Sequence, residues 1–281
     1  MKIISTLGSL PAALQELRHP VGLVPTMGAL HQGHLELIRR AEKENASVIV
    51  SIFVNPTQFG PQEDFSTYPR DLEGDTQILS QEMVDLVFTP SPAEIYPPDF
   101  DTWVEVSQLS DRLEGRHRPG HFKGVSTVIV KLFNLIRPDK AYFGEKDAQQ
   151  LQIIKKLTID LDMGVDIIPV PIVRNQDGLA LSSRNKYLTQ DQLHEAPIIY
   201  RALNFGKTMI KNGELDCKNL RERMTSIISE SPLTKIEYLS ISDLETLEEL
   251  EFIDRPALIS TAVRIGQVRL IDNVRITNRE L

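Results

Sequence analysis

The sequence is poor in cysteine, because Cys217 is the single one in 281 residues. A lone thiol excludes an intrachain disulfide and favours a reducing compartment. Long apolar runs are also missing: no run reaches the roughly 18 apolar residues of a membrane-spanning helix. The segment Met1–Leu17 lacks the apolar core of a secretory signal. We therefore expect a cytoplasmic protein without a membrane partner.

Positive charge is in deficit, since 31 lysines and arginines stand against 39 aspartates and glutamates, for a net charge of −8. Broad nucleic-acid binding depends on a basic surface, so no nucleic-acid partner is expected. A hydrophobic content of 41% and a charged content of 25% are typical of a soluble globular protein. The length allows one large domain or two modest ones.

The N-terminal part of the chain alternates apolar runs with amphipathic segments. This β–α–β order predicts a doubly wound, Rossmann-like parallel sheet. Its predicted strands are Val21–Pro25, Val48–Val54, Val84–Phe88, Lys140–Phe143 and Val165–Val173, with an exposed strand at Trp103–Val106. The predicted helices are Leu35–Glu44, Asp75–Met83, Val125–Ile136 and Gln149–Leu161.

The C-terminal part has helices followed by strands, which predicts a smaller α+β domain. The helices are expected at Thr189–Lys211 and Cys217–Ser229, and the strands at Ile236–Ile241, Ala257–Val263 and Val268–Leu270. We divide the chain into residues 1–172, the Rossmann-like domain, and residues 173–281, an α+β domain expected to close over the functional site.

The segment Pro25–His34 follows a predicted buried strand and leads directly into a helix. A helix N-terminus presents unpaired N–H groups and partial positive charge, which suits nucleotide phosphates. Gly28 and Gly33 would let a ligand approach the backbone closely. His31 and His34 lie one turn apart and could donate to the same bound group. The alternatives are helix-capping histidines or, more weakly, a metal site without a third nearby ligand.

Two further segments carry polar side chains. Asn55–Phe59 ends a predicted strand, where Gln58 could recognise a hydroxyl or carboxylate, or Asn55 could simply cap a turn. Arg116–Lys123 is the densest basic segment of the chain. It is either a plain loop or a cationic loop beside an anionic substrate.

Two more polar segments follow. In Tyr142–Asp147, Lys146 could contact phosphate, and Asp147 could hold Mg²⁺ through water or bind ribose hydroxyls. The alternative is a surface helix start. Gln149 and Gln150 could face the same crevice. Ser182–Asn185 offers hydroxyl and guanidinium donors to a triphosphate, or a capping turn.

Five ordered blocks carry a resemblance over essentially the whole chain. They are Pro25–His34, Phe53–Phe59, Gly120–Val125, Tyr142–Gln150 and Leu181–Asn185. They resemble the motifs of the pantoate–β-alanine ligases in the nucleotidylyltransferase superfamily, and the first block resembles the His-x-Gly-His signature of that superfamily.

The resemblance implies an ATP-dependent amide synthesis. Pantoate carboxylate attacks the α-phosphorus of ATP to give pantoyl adenylate and pyrophosphate. The amine of β-alanine then attacks the adenylate, which releases AMP and pantothenate. Mg²⁺ would enter with ATP, without direct protein ligands but near Asp147. A homodimer is also implied.

The resemblance also implies site residues. Catalytic roles would fall to His34, His31, Lys146 and Arg184, with His34 contacting phosphates and serving as a proton donor. Pyrophosphate is a good leaving group without protonation, so we favour charge stabilisation by His34 over literal proton transfer. Pantoate would contact Gln58, Gln150 and Asn55, and β-alanine would contact Gln58. The ATP-binding residues would be Met27, Gly28, Ala29, Leu30, His31, Gln32, Gly33, His34, Gly144, Glu145, Lys146, Asp147, Val173, Leu181, Ser182, Ser183 and Arg184.

One departure concerns Ser182–Asn185, which stands where many relatives in the superfamily carry a Lys-Met-Ser-Lys-Ser loop. The missing lysines place more weight on Lys146 and Arg184. The rival functions are a nucleotidylyltransferase with a stable nucleotide product and a non-catalytic ATP-binding regulator. The acidic charge disfavours a tRNA-charging enzyme.

Overall fold

The computed structural model describes residues 1–61 and 63–280. The chain forms two compact units. The first comprises Met1–Asp111, Gly115–Glu145 and Gln150–Pro171, and the second comprises Arg112–Glu114, Lys146–Gln149 and Ile172–Leu281. The closure of the C-terminal part over the site stays a prediction.

The first unit is built on a six-stranded sheet with the order β1-β4-β3-β2-β5-β6, in which every pairing is parallel. This confirms the predicted doubly wound sheet. All but one residue of β2 is buried, as expected for a parallel strand covered on both faces. The strands are β1 (Lys2–Ile4), β2 (Val21–Thr26), β3 (Ser47–Ile52), β4 (Leu86–Phe88), β5 (Lys140–Gly144) and β6 (Asp166–Val170).

Helices connect these strands. They are α1 (Leu10–Leu14), α2 (Gln32–Glu44), α3 (Leu72–Leu79), α4 (Pro92–Ile95), α5 (Ser107–Ser110), α6 (Leu113–His117), α7 (His121–Ile136) and α8 (Ala148–Asp160). Helix α2 buries Leu35, Ile38 and Ala41 in one apolar cluster with Val24 and Val50 of the sheet. Helix α3 begins earlier than predicted because Asp71 caps it, its Oδ1 accepting from the N–H of Gly74 at 2.9 Å.

The predicted strand Trp103–Val106 is wrong, because residues 101–106 have no regular structure. The N–H of Val104 donates to Thr127 Oγ1 at 3.1 Å instead of to a neighbouring strand. Trp103 packs edge-on against Phe100, with ring centroids 5.5 Å apart. The alternation of apolar and polar residues over Trp103–Val106 therefore occurs in an irregular segment and not in a strand.

The second unit contains an antiparallel sheet in the order β7 (Thr234–Asp243), β8 (Ala257–Ile265), β9 (Val268–Ile276). Its helices are α9 (Gln190–Glu195), α10 (Ile198–Lys211) and α11 (Cys217–Ile228). The predicted α+β character is confirmed. The single helix predicted over Thr189–Lys211 is two helices, because Pro197 cannot continue the ladder and stands at the N-cap of α10.

Cys217 lies fully buried in the core of the second unit. Burial raises the pKa of its thiol to about 11, so the group stays protonated and packs as a small apolar side chain. Within the described residues, no helix is both long enough and apolar enough to cross a membrane.

Candidate active site

Three predicted segments of the first unit lie at the carboxyl ends of neighbouring strands in its sheet. Strands β3, β2 and β5 are neighbours, and their carboxyl ends lead into Asn55–Gln58, Met27–His31 and Gly144–Glu145. The chain passes outward through β3 and β4 on one side of β2, then returns to place β5 on the other side. Ligands of doubly wound sheets bind at such a switch point.

The loop after β2 takes its shape from left-handed backbone and side-chain acceptors. Gly28 has a φ of 78° and Ala29 a φ of 50°. The N–H of Gly28 donates to Thr26 Oγ1 at 3.1 Å, and that hydroxyl donates to the carbonyl of Ser51 at 2.8 Å. The glycine is needed for its positive φ and for space, because a Cβ there would lie 2.8 Å from Asp75 Oδ2.

The sequence did not predict the role of Asp75 in shaping this loop. Its carboxylate is 3% exposed and accepts from the N–H groups of Ala29 at 2.8 Å and Leu30 at 2.7 Å. Those two N–H groups are therefore engaged by Asp75, so a nucleotide contact of Ala29 or Leu30 would use other atoms of these residues. No local pattern marks the role, since an acidic residue in the first turn of a helix is ordinary capping chemistry.

His31 and His34 form a capping box at the start of α2. His31 Nδ1 accepts from the N–H of Gly33 at 3.1 Å, and His34 Nδ1 accepts from the N–H of His31 at 3.3 Å. The capping alternative is confirmed, yet it does not oppose a ligand role. A neutral ring that accepts at Nδ1 carries its proton on Nε2, so both rings present Nε2–H as a donor.

The turn after β3 is organised by Asn55, which is 1% exposed. Its Oδ1 accepts from Tyr96 Oη at 3.0 Å and from Thr57 Oγ1 at 2.9 Å. Its Nδ2 donates to Gln58 Oε1 and to the carbonyl of Gly124, each at 3.1 Å. Both ends of the amide are engaged, so Asn55 orients Gln58.

The amide of Gln58 has a defined direction. Its Oε1 accepts from Asn55, so its Nε2 points away, towards Met27 Sδ at 3.1 Å. A thioether is a weak acceptor, and a ligand oxygen can replace it at little cost. Gln58 thus directs a nitrogen donor towards Met27, in the loop after β2.

The basic segment Arg116–Lys123 is largely helical rather than a loop, because α6 ends at His117 and α7 begins at His121. Arg118 Nε and Nη2 donate to the two Glu63 oxygens at 2.7 and 2.6 Å. Burial by itself would raise the pKa of Glu63, but the hydrogen bonds and charge of Arg118 outweigh it and lower that pKa. The Arg118 charge is therefore paired within the protein.

In the second unit, Lys146 is half-buried in the short 3₁₀ helix Glu145–Asp147, and Asp147 is exposed. The carbonyl of Lys146 accepts from Asn273 Nδ2 of β9 at 2.9 Å. The expectation that Gln149 faces a crevice is wrong. It is 4% exposed, and its amide bonds the N–H of Glu114 at 2.9 Å and the carbonyl of Arg112 at 2.7 Å.

A hairpin in the second unit joins two other predicted segments. The N–H of Leu181 donates to the carbonyl of Val173 at 2.9 Å, and Gly178 makes the turn with a φ of 95°. Ser182 Oγ caps the 3₁₀ helix Ser183–Tyr187 by accepting from the N–H of Arg184 at 3.3 Å. The hairpin brings Val173 beside Leu181, the residue that precedes Ser182–Arg184. The capping alternative for Ser182 is confirmed.

Among the described residues, no group of three or more His, Cys, Asp or Glu side chains could hold a metal ion. A cation carried by nucleotide phosphates needs only one or two carboxylates, since Mg²⁺ keeps much of its water shell. The exposed carboxylate of Asp147 fits that requirement.

Sequence comparison places these features in one family. The Pantoate-beta-alanine ligase family matches residues 2–275. A pantothenate synthetase from Thermotoga petrophila is 50% identical over 276 residues, covering 97% of this chain and 99% of the relative. One from Roseiflexus castenholzii is 52% identical over 273 residues, covering 97% and 98%.

Solved structures agree with that family. The pantothenate synthetase of Thermus thermophilus superposes with a TM-score of 0.93 at 44% identity, covering 98% of this chain and 99% of that one. The pantoate-beta-alanine ligase of Francisella tularensis, complexed with beta-gamma ATP and beta-alanine, gives 0.80 at 38% identity, covering 98% and 97%. The chain therefore belongs to the pantoate–β-alanine ligase family.

Proposed function

We propose that this chain condenses (R)-pantoate with β-alanine through a pantoyl adenylate, releasing pyrophosphate and AMP. The observation that carries the proposal is the meeting of Met27–His31, Asn55–Gln58 and Gly144–Glu145 at the switch point of the sheet. The family match over residues 2–275 supports the reaction class.

In the first step, a pantoate carboxylate oxygen bonds to the α-phosphorus, and the bond from that phosphorus to pyrophosphate breaks. Two anions must meet, so oriented donors and cations lower the barrier. We assign this role to the Nε2–H groups of His31 and His34, and to Lys146 and Arg184. Pyrophosphate leaves readily without a proton, so we assign His34 to charge stabilisation.

In the second step, the neutral amine nitrogen of β-alanine bonds to the carbonyl carbon of the adenylate. The bond from that carbon to the phosphate oxygen breaks, AMP leaves with its electron pair, and the nitrogen releases a proton to solvent. Gln58 is proposed to contact both pantoate and β-alanine, and Gln150 to contact pantoate. The geometry of Asn55 supports an indirect part in pantoate binding, because it orients Gln58 through a 3.1 Å hydrogen bond.

The remaining roles are also proposals. Mg²⁺ is proposed to enter with ATP and to reach Asp147 through water, and the protein to act as a cytoplasmic homodimer. A Cβ at Gly144 would meet no atom within 4 Å, so the protein leaves open space there. The proposed nucleotide contacts are Met27, Gly28, Ala29, Leu30, His31, Gln32, Gly33, His34, Gly144, Glu145, Lys146, Asp147, Val173, Leu181, Ser182, Ser183 and Arg184.

The test is a substrate-omission assay with ATP, Mg²⁺, pantoate and β-alanine, following AMP and pantothenate. We expect AMP only when all are present, and pantoate-dependent exchange of pyrophosphate into ATP without β-alanine. A stable nucleotide product formed without an amine would instead indicate a nucleotidylyltransferase. ATP binding without turnover would indicate a regulator.

A further inference from the structure

The main chain of Gln58 is held separately from its side chain. Its carbonyl oxygen lies 2.7 Å from His121 Nδ1 and 3.4 Å from Arg118 Nη2. His121 is 9% exposed and stands in the first turn of α7. Both contacts are made to the main chain of Gln58 and not to its side-chain amide.

The direction of these hydrogen bonds follows from their acceptor. A carbonyl carries no proton, so His121 Nδ1 must be the donor. In the neutral ring, Nε2 is then an acceptor, and Arg118 Nη1 lies 3.1 Å from it as the donor. The order Arg118 to His121 to the Gln58 carbonyl thus specifies one tautomer of the imidazole.

Arg118 is itself fixed by two parallel hydrogen bonds to Glu63, at 2.7 and 2.6 Å. A two-point guanidinium–carboxylate pair fixes orientation as well as distance. The plane of the guanidinium, and with it the donor aimed at His121, is therefore determined by Glu63.

Helix α7 also approaches the turn directly. A Cβ at Gly124 would come within 2.5 Å of the carbonyl oxygen of Thr57 and 2.8 Å of the nitrogen of Gln58. The carbonyl of Gly124 accepts from Asn55, the residue that orients the Gln58 amide. One helical turn therefore supports both the backbone and the side chain of the same residue.

We infer that His121 and Arg118 are positioning residues that set the Gln58 amide for pantoate. The inference rests on the proposed role of Gln58 in substrate binding. Displacement of a binding group by about 1 Å can cost about 100-fold in rate, so loss of this support acts on substrate use beyond any loss of stability.

The test compares His121→Phe, which removes the donor, with His121→Asn, whose amide nitrogen lies near the position of Nδ1. Pantoate-dependent exchange of pyrophosphate into ATP is measured with pantoate and ATP varied separately, and folding is followed by circular dichroism. His121→Phe should raise the KM for pantoate by about 10-fold or more and leave the KM for ATP within about twofold. His121→Asn should restore most of the pantoate KM.

The control is His194→Phe, since the His194 side chain is 89% exposed on α9. If His121→Phe does not fold, the paired variant Arg118→Gln with Glu63→Gln decides, because it removes both charges together. It should raise the pantoate KM while sparing the ATP KM. A folded variant with an unchanged pantoate KM, or equal losses for both substrates, would overturn the inference.

Failure of the underlying function gives a different result. If the unaltered protein shows no pantoate-dependent exchange, the proposed function fails. If it does, and Gln58→Ala leaves the pantoate KM unchanged while His121→Phe raises it, the assignment through Gln58 is overturned.

Discussion

The carboxylate of Asp75 lies 2.7 Å from the backbone nitrogen of Leu30 and 2.8 Å from that of Ala29. A buried acid on α3 thus holds the loop that leads into the two histidines of α2. The proposed nucleotide-binding loop is therefore stabilised by a residue that lies 45 positions after Leu30 in the sequence.

We expect Asp75→Asn to weaken this loop, because an amide cannot accept from both N–H groups. The free energy of unfolding should fall by about 1–3 kcal/mol, the cost of a buried donor left unpaired. The KM for ATP should rise as well. Urea denaturation and exchange kinetics measure the two effects. Asp71→Asn, at the N-cap of the same helix, should be nearly neutral, and equal losses in both variants would contradict this account.

The capping role of His34 Nδ1 and the proposed donor role of His34 Nε2 can be tested separately by substitution. His34→Asn keeps an oxygen able to accept from the N–H of His31 but removes the Nε2 donor. Pantoate-dependent exchange should fall by about 10²–10³-fold, while stability stays close to that of the unaltered protein. His34→Gln should recover part of the rate. Exchange in His34→Asn at the original rate would disprove the charge-stabilising role.

Gly124→Ala should disturb the turn at Gln58 through steric contact alone. The added Cβ would lie 2.5 Å from the carbonyl oxygen of Thr57, so the helix or the turn must move. We expect a loss of about 1–3 kcal/mol in unfolding free energy, together with weaker use of pantoate. Gly8→Ala, where a Cβ would meet no atom within 4 Å, is the matched control. Unchanged stability in Gly124→Ala would rule out this steric account.

Asn273 links β9 to Lys146, since its Nδ2 donates to the Lys146 carbonyl at 2.9 Å. Asn273→Ala removes that donor, so we expect Lys146 to lose its fixed position and the KM for ATP to rise by about 10-fold. The pantoate KM should change less. Asn204→Ala, on the exposed face of α10, serves as the control. An unchanged ATP KM in Asn273→Ala would show that this bond does not position Lys146.

We expect Glu237 to make the free energy of unfolding of the second unit fall at acidic pH. Burial alone would raise its pKa, but hydrogen bonds from Arg269 at 2.7 Å and Arg264 at 2.6 Å lower it below 4.5. A carboxylate with a lowered folded pKa contributes stability above its unfolded pKa and loses that contribution as pH falls through the folded value. Stability should therefore decline on acidification below about pH 4.5.

Glu237→Gln should remove part of this acid dependence and cost about 1–3 kcal/mol at neutral pH, where the ion pairs are intact. The measurement is urea denaturation at pH 7 and at pH 4 on both proteins. The difference between them should shrink at the lower pH. A difference that grows on acidification would contradict the sign of the pKa shift.

Strand and helix positions followed from local pattern where burial was strong. The continuous apolar run of β2 and the helical spacing of Leu35, Ile38 and Ala41 predicted their elements because burial on two faces or on one stripe leaves a direct signature. The prediction of a strand at Trp103–Val106 was wrong because a short alternation does not specify a pairing partner, and the Val104 N–H donates to the Thr127 side chain instead. The helix predicted over Thr189–Lys211 is divided at Pro197 because proline lacks a backbone N–H to donate, whereas the apolar spacing continues across that position.

The site could be predicted only in part, for a physical reason. Histidines, amides and glycines that follow predicted strands could be identified as site candidates from the sequence. The reason is that the carboxyl ends of parallel strands lie on the same side of the sheet, where ligands bind. Asp75, Asn273 and His121 act through main-chain groups far along the chain. Nothing in their neighbouring residues encodes the partner.

By itself, the sequence determined the doubly wound sheet, the smaller α+β part and the residue types of the candidate site, because periodicity and the order of motifs are local properties. Tertiary structure decided which atoms of those residues are engaged. It made His31 and His34 a capping box with Nε2 donors, made Asn55 a support for Gln58, and engaged the buried amide of Gln149 with main-chain groups. Those assignments depend on contacts between distant segments, which exist only once the chain has folded.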